Sequence, residues 1–196
     1  MKTPFSLLYH LSQSIQMILR KHQSIFKPTH GLPPPCPHDH HIPLLPNTGP
    51  VNVRPYRYTH SKKNTITKLI AEMLYEGFIK PSNNPFSSLV LLIKKKDVTW
   101  HFCVDYIALN AVTIHDCFHI PTIDELLDEL GLATIFTKID LYLGYHQVRL
   151  NHNDTHKKAF RTMDGHYEFL VIPFGLTNAP STFQAAMNVL LRPFLR

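Results

Sequence analysis

Asp140 closes a run over residues 134–141 in which β-branched Thr and Ile dominate, and Gly144 and Tyr145 follow within a few positions. Such a run reads as a strand, since branched side chains pack well on a pleated surface. A carboxylate at the end of an apolar strand can face a cleft while the strand itself stays buried. An aromatic residue then follows just beyond a tight turn. A second glycine turn, Pro173-Phe174-Gly175, leads into a helix that begins after Asn178. Taken alone, Asp140 fits either a turn-capping residue or a metal ligand, and both roles stand open at this level.

The rest of the chain supplies the elements around these turns. Residues 6–20 read as a short amphipathic helix. Residues 28–50, dense in Pro and His and without hydrophobic periodicity, read as an extended linker that Pro33, Pro34 and Pro35 stiffen. His38, Asp39, His40 and His41 invite a metal reading, but adjacent ligands in an extended segment seldom converge and no zinc-type spacing accompanies them. From Thr65, the residues Ile66, Leu69, Ile70, Met73 and Leu74 follow helical spacing with one buried face, and Gly77 is placed to cap it.

Residues 89–94 and 101–105 read as an antiparallel pair joined by a basic tip around Lys95 and Lys96. Thr122 and Glu125 have capping-box spacing, and Ile123, Leu126, Leu127 and Leu130 form the expected buried stripe of the helix they open. Asp164-Gly165 joins strands at 159–162 and 167–172. The last helix is expected to pack Phe183, Met187 and Leu190 or Leu191, with Pro193 closing it. Helices and hairpins alternate without a regular βαβ rhythm, so the class is α+β. The division expected is an N-terminal helix and linker over residues 1–50, then one domain over 51–196.

Twenty Lys and Arg against fourteen Asp and Glu leave a net charge of +6, which favours polyanionic partners. The three cysteines, Cys36, Cys103 and Cys117, are too few and too widely spaced for a disulfide framework or a zinc site. They fit a reducing, intracellular setting, cytoplasmic or nuclear, and secretion is not expected. No apolar run reaches the roughly 18 residues of a membrane span.

The ordered set of Asn84-Pro85-Phe86-Ser87-Ser88, Val104-Asp105-Tyr106, Ala108-Leu109-Asn110, Asp140 with Gly144 and Tyr145, and Pro173-Phe174-Gly175 resembles the reverse transcriptase domain of gypsy-class long-terminal-repeat retrotransposon Pol polyproteins. The resemblance runs over residues 25–196. It implies a partial right-hand polymerase, the fingers and an incomplete palm, from a family that carries out RNA-directed DNA synthesis. Its partners would be deoxynucleoside triphosphates, an RNA or DNA primer-template and the rest of a Pol polyprotein where the frame continues, with no membrane. By the same resemblance Asp140 is the catalytic, Mg2+-binding carboxylate and Leu141 offers its backbone carbonyl to the ion. Tyr145 lies under the incoming sugar and excludes a 2'-hydroxyl. Phe174 and Gly175 line the nucleotide pocket, Lys95 reaches the triphosphate, and the segment 84–88 lies along the template.

Several positions depart from the family pattern. His101 stands at a usual Arg beside Trp100, Ile107 at another Arg, Leu89 and His119 at prolines, Leu143 at Ser or Gly, and Val98 at Gly. The family's Asp-Asp hairpin follows shortly after such a block, and residues 1–196 contain no Asp-Asp pair. The expectation is a domain truncated before that hairpin, with an incomplete magnesium site and no polymerase activity as an isolated chain, consistent with a decaying element or a partial reading of its gene. The alternative is a non-catalytic, basic nucleic-acid-binding remnant.

Overall fold

Two antiparallel sheets, one of two strands and one of three, organise the better-packed part of the molecule. In the computed structural model, residues 12–26, 30–54, 56–94, 99–118, 121–131, 133–134, 141 and 143–194 are described. They fall into two compact units, residues 1–30 and 31–196. The first holds helix α1 (Gln13–Lys21), which opens after Ser12 in extended backbone, and a short 3-10 turn (Gln23–Phe26); residues 6–11 of the expected helix lie outside the described residues.

In the second unit, β2 (Leu89–Lys94) pairs antiparallel with β3 (Trp100–Asp105), from Leu89 opposite Asp105 to Lys94 opposite Trp100. Leu89 and Val90 are buried, whereas Ile93 is exposed, so the hairpin leaves the core towards its tip. The tip at 95–98, with Lys95, lies outside the described residues. A second sheet has the order β1-β5-β4, formed by β1 (Ile79–Pro81), β5 (His166–Phe169) and β4 (Ala159–Arg161). The Asp164-Gly165 turn joins β4 to β5 as read from sequence, but β5 ends at Phe169. Residues 170–172 instead bond across to 148–150, through Leu150 N–H to Leu170 O and Ile172 N–H to Val148 O. Phe160 is wholly buried at the centre, with Phe102, Tyr167 and Phe169 rings 5.1–6.0 Å away. Burying one such ring contributes about 2–3 kcal/mol.

Helix α2 (His60–Tyr75) begins five residues before the expected start and buries Ile66 and Ile70, while Leu74 is turned outward. Gly77, at φ +73°, ends it: Phe78 N–H bonds to Met73 O and Gly77 N–H to Leu74 O, the paired bonds of a left-handed C-terminal cap. The chain then enters β1 directly. The short helix α3 (Ile107–Asn110) follows β3, and helix α4 (Ile123–Leu130) opens with the expected reciprocal box between Thr122 and Glu125. Helix α5 (Ala179–Leu191) runs into a 3-10 turn (Arg192–Phe194) that contains Pro193.

Four expectations need correction. The boundary between units falls after His30, not at residue 50, and the expected linker is built into the core in its second half. His40 is 1% and Ile42 2% exposed; His40 exchanges backbone bonds with Arg149 and Asn151, Pro43 O accepts from Ile114 and Leu45 N–H donates to Val112. Proline removes a donor but keeps its carbonyl, so a Pro-rich segment can still be held by bonds it accepts. On α4, Ile123, Leu127 and Leu130 are exposed, not buried. On α5, Leu190 and Leu191 are exposed as well. Finally, Phe86, Ser87 and Ser88 are buried, with Ser87 bonded to Val51 and Val53 and Ser88 to Ala159, so most of the segment read as lying along a template is core. Of the strand expected at 134–141, residues 135–140 lie outside the described residues.

Candidate functional site

The two glycine turns meet. Residues 144–147 form a 3-10 turn entered through Leu143, whose φ of 50° is left-handed, a conformation that costs a β-carbon-bearing residue about 1–2 kcal/mol. A β-carbon on Gly144 would stand 3.3 Å from the Phe183 ring and 3.7 Å from the Leu141 side chain, so glycine is what lets this turn lie against α5. Tyr145 packs edge-on to Phe174 at 5.0 Å and tilted against Phe183 at 5.2 Å. Phe174 is 49% exposed and Leu141 45%, whereas Tyr145 and Phe183 are half-buried against the core, so the aromatic cluster has an open front.

Gly175 has φ +96° and is held from one side by a single residue. Asn110 donates its side-chain N–H to Gly175 O at 2.8 Å and accepts from Thr177 N–H at 3.1 Å. Asn178 does similar work at the start of α5: it accepts from Asp116 N–H and donates to Ile114 O, while Ser181 donates to the Asp116 carboxylate. Both asparagines stand within motifs quoted from the sequence, but their partners lie more than 60 residues away, which no local pattern displays. The block around Ala108-Leu109-Asn110 therefore positions the turn.

Tyr145 and Phe174 thus pack together, with Gly175 next to Phe174 in the chain and Leu141 beside Gly144. His101, where the family usually has Arg, packs edge-on to Phe174 at 5.8 Å. A cleft of about 200 Å3 lies behind this wall, lined by Leu69, Met73, Trp100, Cys103, Leu143 and His146 among others. Asp140 and Lys95 lie outside the described residues. Among the described residues no group of three or more His, Cys, Asp or Glu side chains could hold a metal ion. The histidine segment has other partners: His40 Nδ1 is 2.7 Å from Thr182 Oγ1, and His41 pairs with Asp154 at 3.3 Å.

Buried titratable groups underlie the site. Burial, aided by nearby Lys158, pushes both His40 and His146 down to about 4. Lys158 is itself fully buried, with Nζ donating to Val171 O at 2.9 Å, and burial drives its ammonium well below the usual range. Burial opposes ionisation of Glu168, but Lys80, Ser82 and Asn84 donate to it and hold it low. Asp154 is likewise held low against its burial by Lys157 and the Ile42 N–H.

Comparison with known proteins agrees with this arrangement. The family described as reverse transcriptase (RNA-dependent DNA polymerase) matches residues 93–196, more than half of the chain. The retrovirus-related Pol polyprotein from transposon 297 of Drosophila melanogaster is 39% identical over 160 residues, covering 79% of this chain and 15% of that protein. The Pol polyprotein from transposon gypsy of the same organism is 36% identical, covering 73% and 14%. The transposon Tf2-3 polyprotein of Schizosaccharomyces pombe is 35% identical, covering 71% and 10%. The chain therefore spans about a seventh or less of the relatives it matches. Among solved structures, prototype foamy virus protease-reverse transcriptase superposes with a TM-score of 0.74 at 20% identity, over 92% of this chain and 24% of that one. A foamy viral protease-reverse transcriptase in complex with an RNA/DNA hybrid gives 0.73 at 19%, over 94% and 25%. The α+β architecture is that of a partial polymerase, and with its motif residues gathered at one corner the chain belongs to the reverse transcriptase family, as a domain of the retrotransposon Pol type.

Proposed function

We propose that this chain supplies the nucleotide-facing wall of an RNA-directed DNA polymerase, the fingers and first part of the palm of a retrotransposon Pol protein. The observation that carries the reading is the convergence of Leu141, Tyr145, Phe174 and Gly175, from two distant turns, on one open-fronted corner. In this reading Tyr145, braced from behind by Phe183, is a rigid floor under the sugar and leaves no room for a 2'-hydroxyl. Phe174 and the Gly175 backbone line the base and sugar of the incoming deoxynucleoside triphosphate. Lys95 contacts its triphosphate, a role suited to a compact cation on a flexible stem. The partner is an RNA or DNA primer-template, for which the net charge of +6 is suitable.

Reverse transcriptases use a divalent metal ion. On this chain Asp140 and the Leu141 carbonyl are the proposed contributors to a Mg2+ site. Magnesium keeps its water shell unless several ligands cooperate, and residues 1–196 contain no Asp-Asp pair to join them. A polypeptide of these residues is therefore expected to bind a primer-template without extending it. Primer extension by the purified polypeptide, abolished in Asp140→Ala, would overturn that expectation. Failure to bind an RNA/DNA hybrid even at low salt would overturn the polymerase reading itself.

The net charge of +6 is equally compatible with a second reading, a non-catalytic nucleic-acid-binding remnant. It differs in outcome: Asp140→Ala leaves affinity unchanged, and Lys95→Ala lowers it. The number and wide spacing of Cys36, Cys103 and Cys117 support a reducing setting, cytoplasmic or nuclear, in either case.

A further inference from the structure

Helix α4 joins an acidic surface to an apolar stripe that faces solvent. Asp124, Glu125, Asp128 and Glu129 lie on it, and no Lys or Arg occurs between Lys96 and Lys138. Its stripe is open, with Ile123 76% and Leu127 58% exposed. Helix α1 has the opposite charge: it ends on Arg20 and Lys21, and no acidic residue precedes Asp39. We propose that the α4 stripe is an interaction surface for α1 of a second copy of this chain, so that two copies pair through two equal α1–α4 contacts. The inference goes beyond the polymerase reading and needs neither nucleotide nor template.

Three features carry it. The charges are complementary and unspent: among the described residues, none of Arg20, Lys21, Asp124, Asp128 and Glu129 has an ion-pair partner. The apolar patterns match as well. Ile123, Leu127 and Leu130 recur at i, i+4 and i+7 on α4, and Ile15, Ile18 and Leu19 at i, i+3 and i+4 on α1. Both Ile15 and Ile18 are exposed, and α1 buries none of its residues. Finally, the two helices have nearly the same length, nine and eight residues, or about 13 and 12 Å at 1.5 Å per residue. The Thr122–Glu125 box shapes α4 before any partner arrives, which lowers the ordering cost of docking.

Charge also rules out other occupants of the α4 stripe. Its four carboxylates repel a nucleic-acid strand, an anionic lipid surface and a second α4 alike. A basic amphipathic helix is what the surface calls for, and α1 is one. When each copy lends its α1 to the other, two-fold symmetry closes the pair and no filament grows. Two such short contacts make a small interface, so the pair is weak and its population follows concentration.

The test is sedimentation velocity on the full 196-residue chain, without nucleic acid, at concentrations up to about 200 μM. Wild-type chain is expected to move from the mass of one copy to that of two, and salt raised from about 0.05 to about 0.5 M should shift that change to higher concentration. Arg20→Glu with Lys21→Glu should weaken the pair about tenfold or more, since like charges then face each other. Leu127→Ser should weaken it about tenfold, through the apolar cover it removes. Hydrogen exchange over 123–130 gives a second readout: protection should grow with concentration in wild-type chain and not in either variant. All three residues are exposed, and unchanged thermal unfolding verifies that the variants fold. A chain that stays single throughout the range overturns the inference. Protection of 123–130 that is independent of concentration overturns it too, because the stripe would then be covered within one chain. If Leu127→Ser weakens the pair but the α1 variant does not, the occupant is not α1 and the inference fails. None of these outcomes touches the polymerase reading, which stands or falls on binding of an RNA/DNA hybrid.

Discussion

Gly175 and Tyr106 show how much single positions decide at the proposed nucleotide wall. At φ +96°, Gly175 occupies backbone space that a β-carbon disfavours, and Asn110 keeps it there. Gly175→Ala should destabilise the chain by about 1–2 kcal/mol, read as a lower denaturation midpoint with an unchanged slope. Tyr106, packed beside this glycine, is 2% exposed, and its hydroxyl is buried without a partner among the described residues. A buried hydroxyl left unpaired costs free energy, so Tyr106→Phe should be neutral or raise stability by about 1 kcal/mol. A clear loss of thermal stability in that variant would show that an internal water or an undescribed residue completes the bond.

Among the elements, α4 separates local from tertiary stabilisation. Its capping box is fully formed, with Glu125 N–H donating to Thr122 Oγ1 and Thr122 N–H to Glu125. Its apolar residues Ile123, Leu127 and Leu130 nevertheless remain exposed. An eight-residue helix is marginal in water unless packing supports it, and these three described residues supply little. Thr122→Ala should therefore melt α4 locally, by about 1 kcal/mol, and leave global unfolding unchanged. Hydrogen exchange over 123–130 reads the first effect and calorimetry the second. A matching fall in the global transition would mean that α4 is packed more tightly than its exposure indicates. The β2–β3 hairpin is the opposite case, since its register follows from its own two strands and its first residues are buried.

Across the whole molecule, the buried histidines set the acid limit of the fold. His40 and His146 titrate near 4 in the folded chain and near 6.5 when unfolded. Above about 6.5 both are neutral in either state and cost nothing. As pH falls from about 6.5 towards about 4, the unfolded chain takes up protons that the native chain refuses, and stability drops by up to about 1.4 kcal/mol per unit for each histidine. Asp154 and Glu168 act lower: their depressed values stabilise the fold above the ordinary carboxylate range, and that contribution is lost as pH falls through their folded values. Melting temperature should therefore start to fall below about pH 6.5, before any carboxylate titrates. His40→Asn should flatten the first part of that decline. A melting temperature that is level from pH 7 to 5 would contradict the assignment.

How much of this was legible along the chain depends on how far apart the partners lie. The β2–β3 and β4–β5 hairpins, the Thr122 box, the Gly77 cap and the two glycine turns are each specified within a few residues, and each appears near where the sequence indicates, although β5 stops at Phe169. The packing of Ile42 and His40 against residues 149–154 is another matter, and so are the anchoring of the Gly175 turn by Asn110 and the exposure of the α4 stripe. Those depend on contacts between segments tens of residues apart, and periodicity marks an apolar face without naming what covers it. Local backbone chemistry therefore dictated the elements and the order of the motifs. Three-dimensional packing alone chose the partners, because burial and hydrogen bonding between remote segments are properties of the folded surface and not of any one stretch of it.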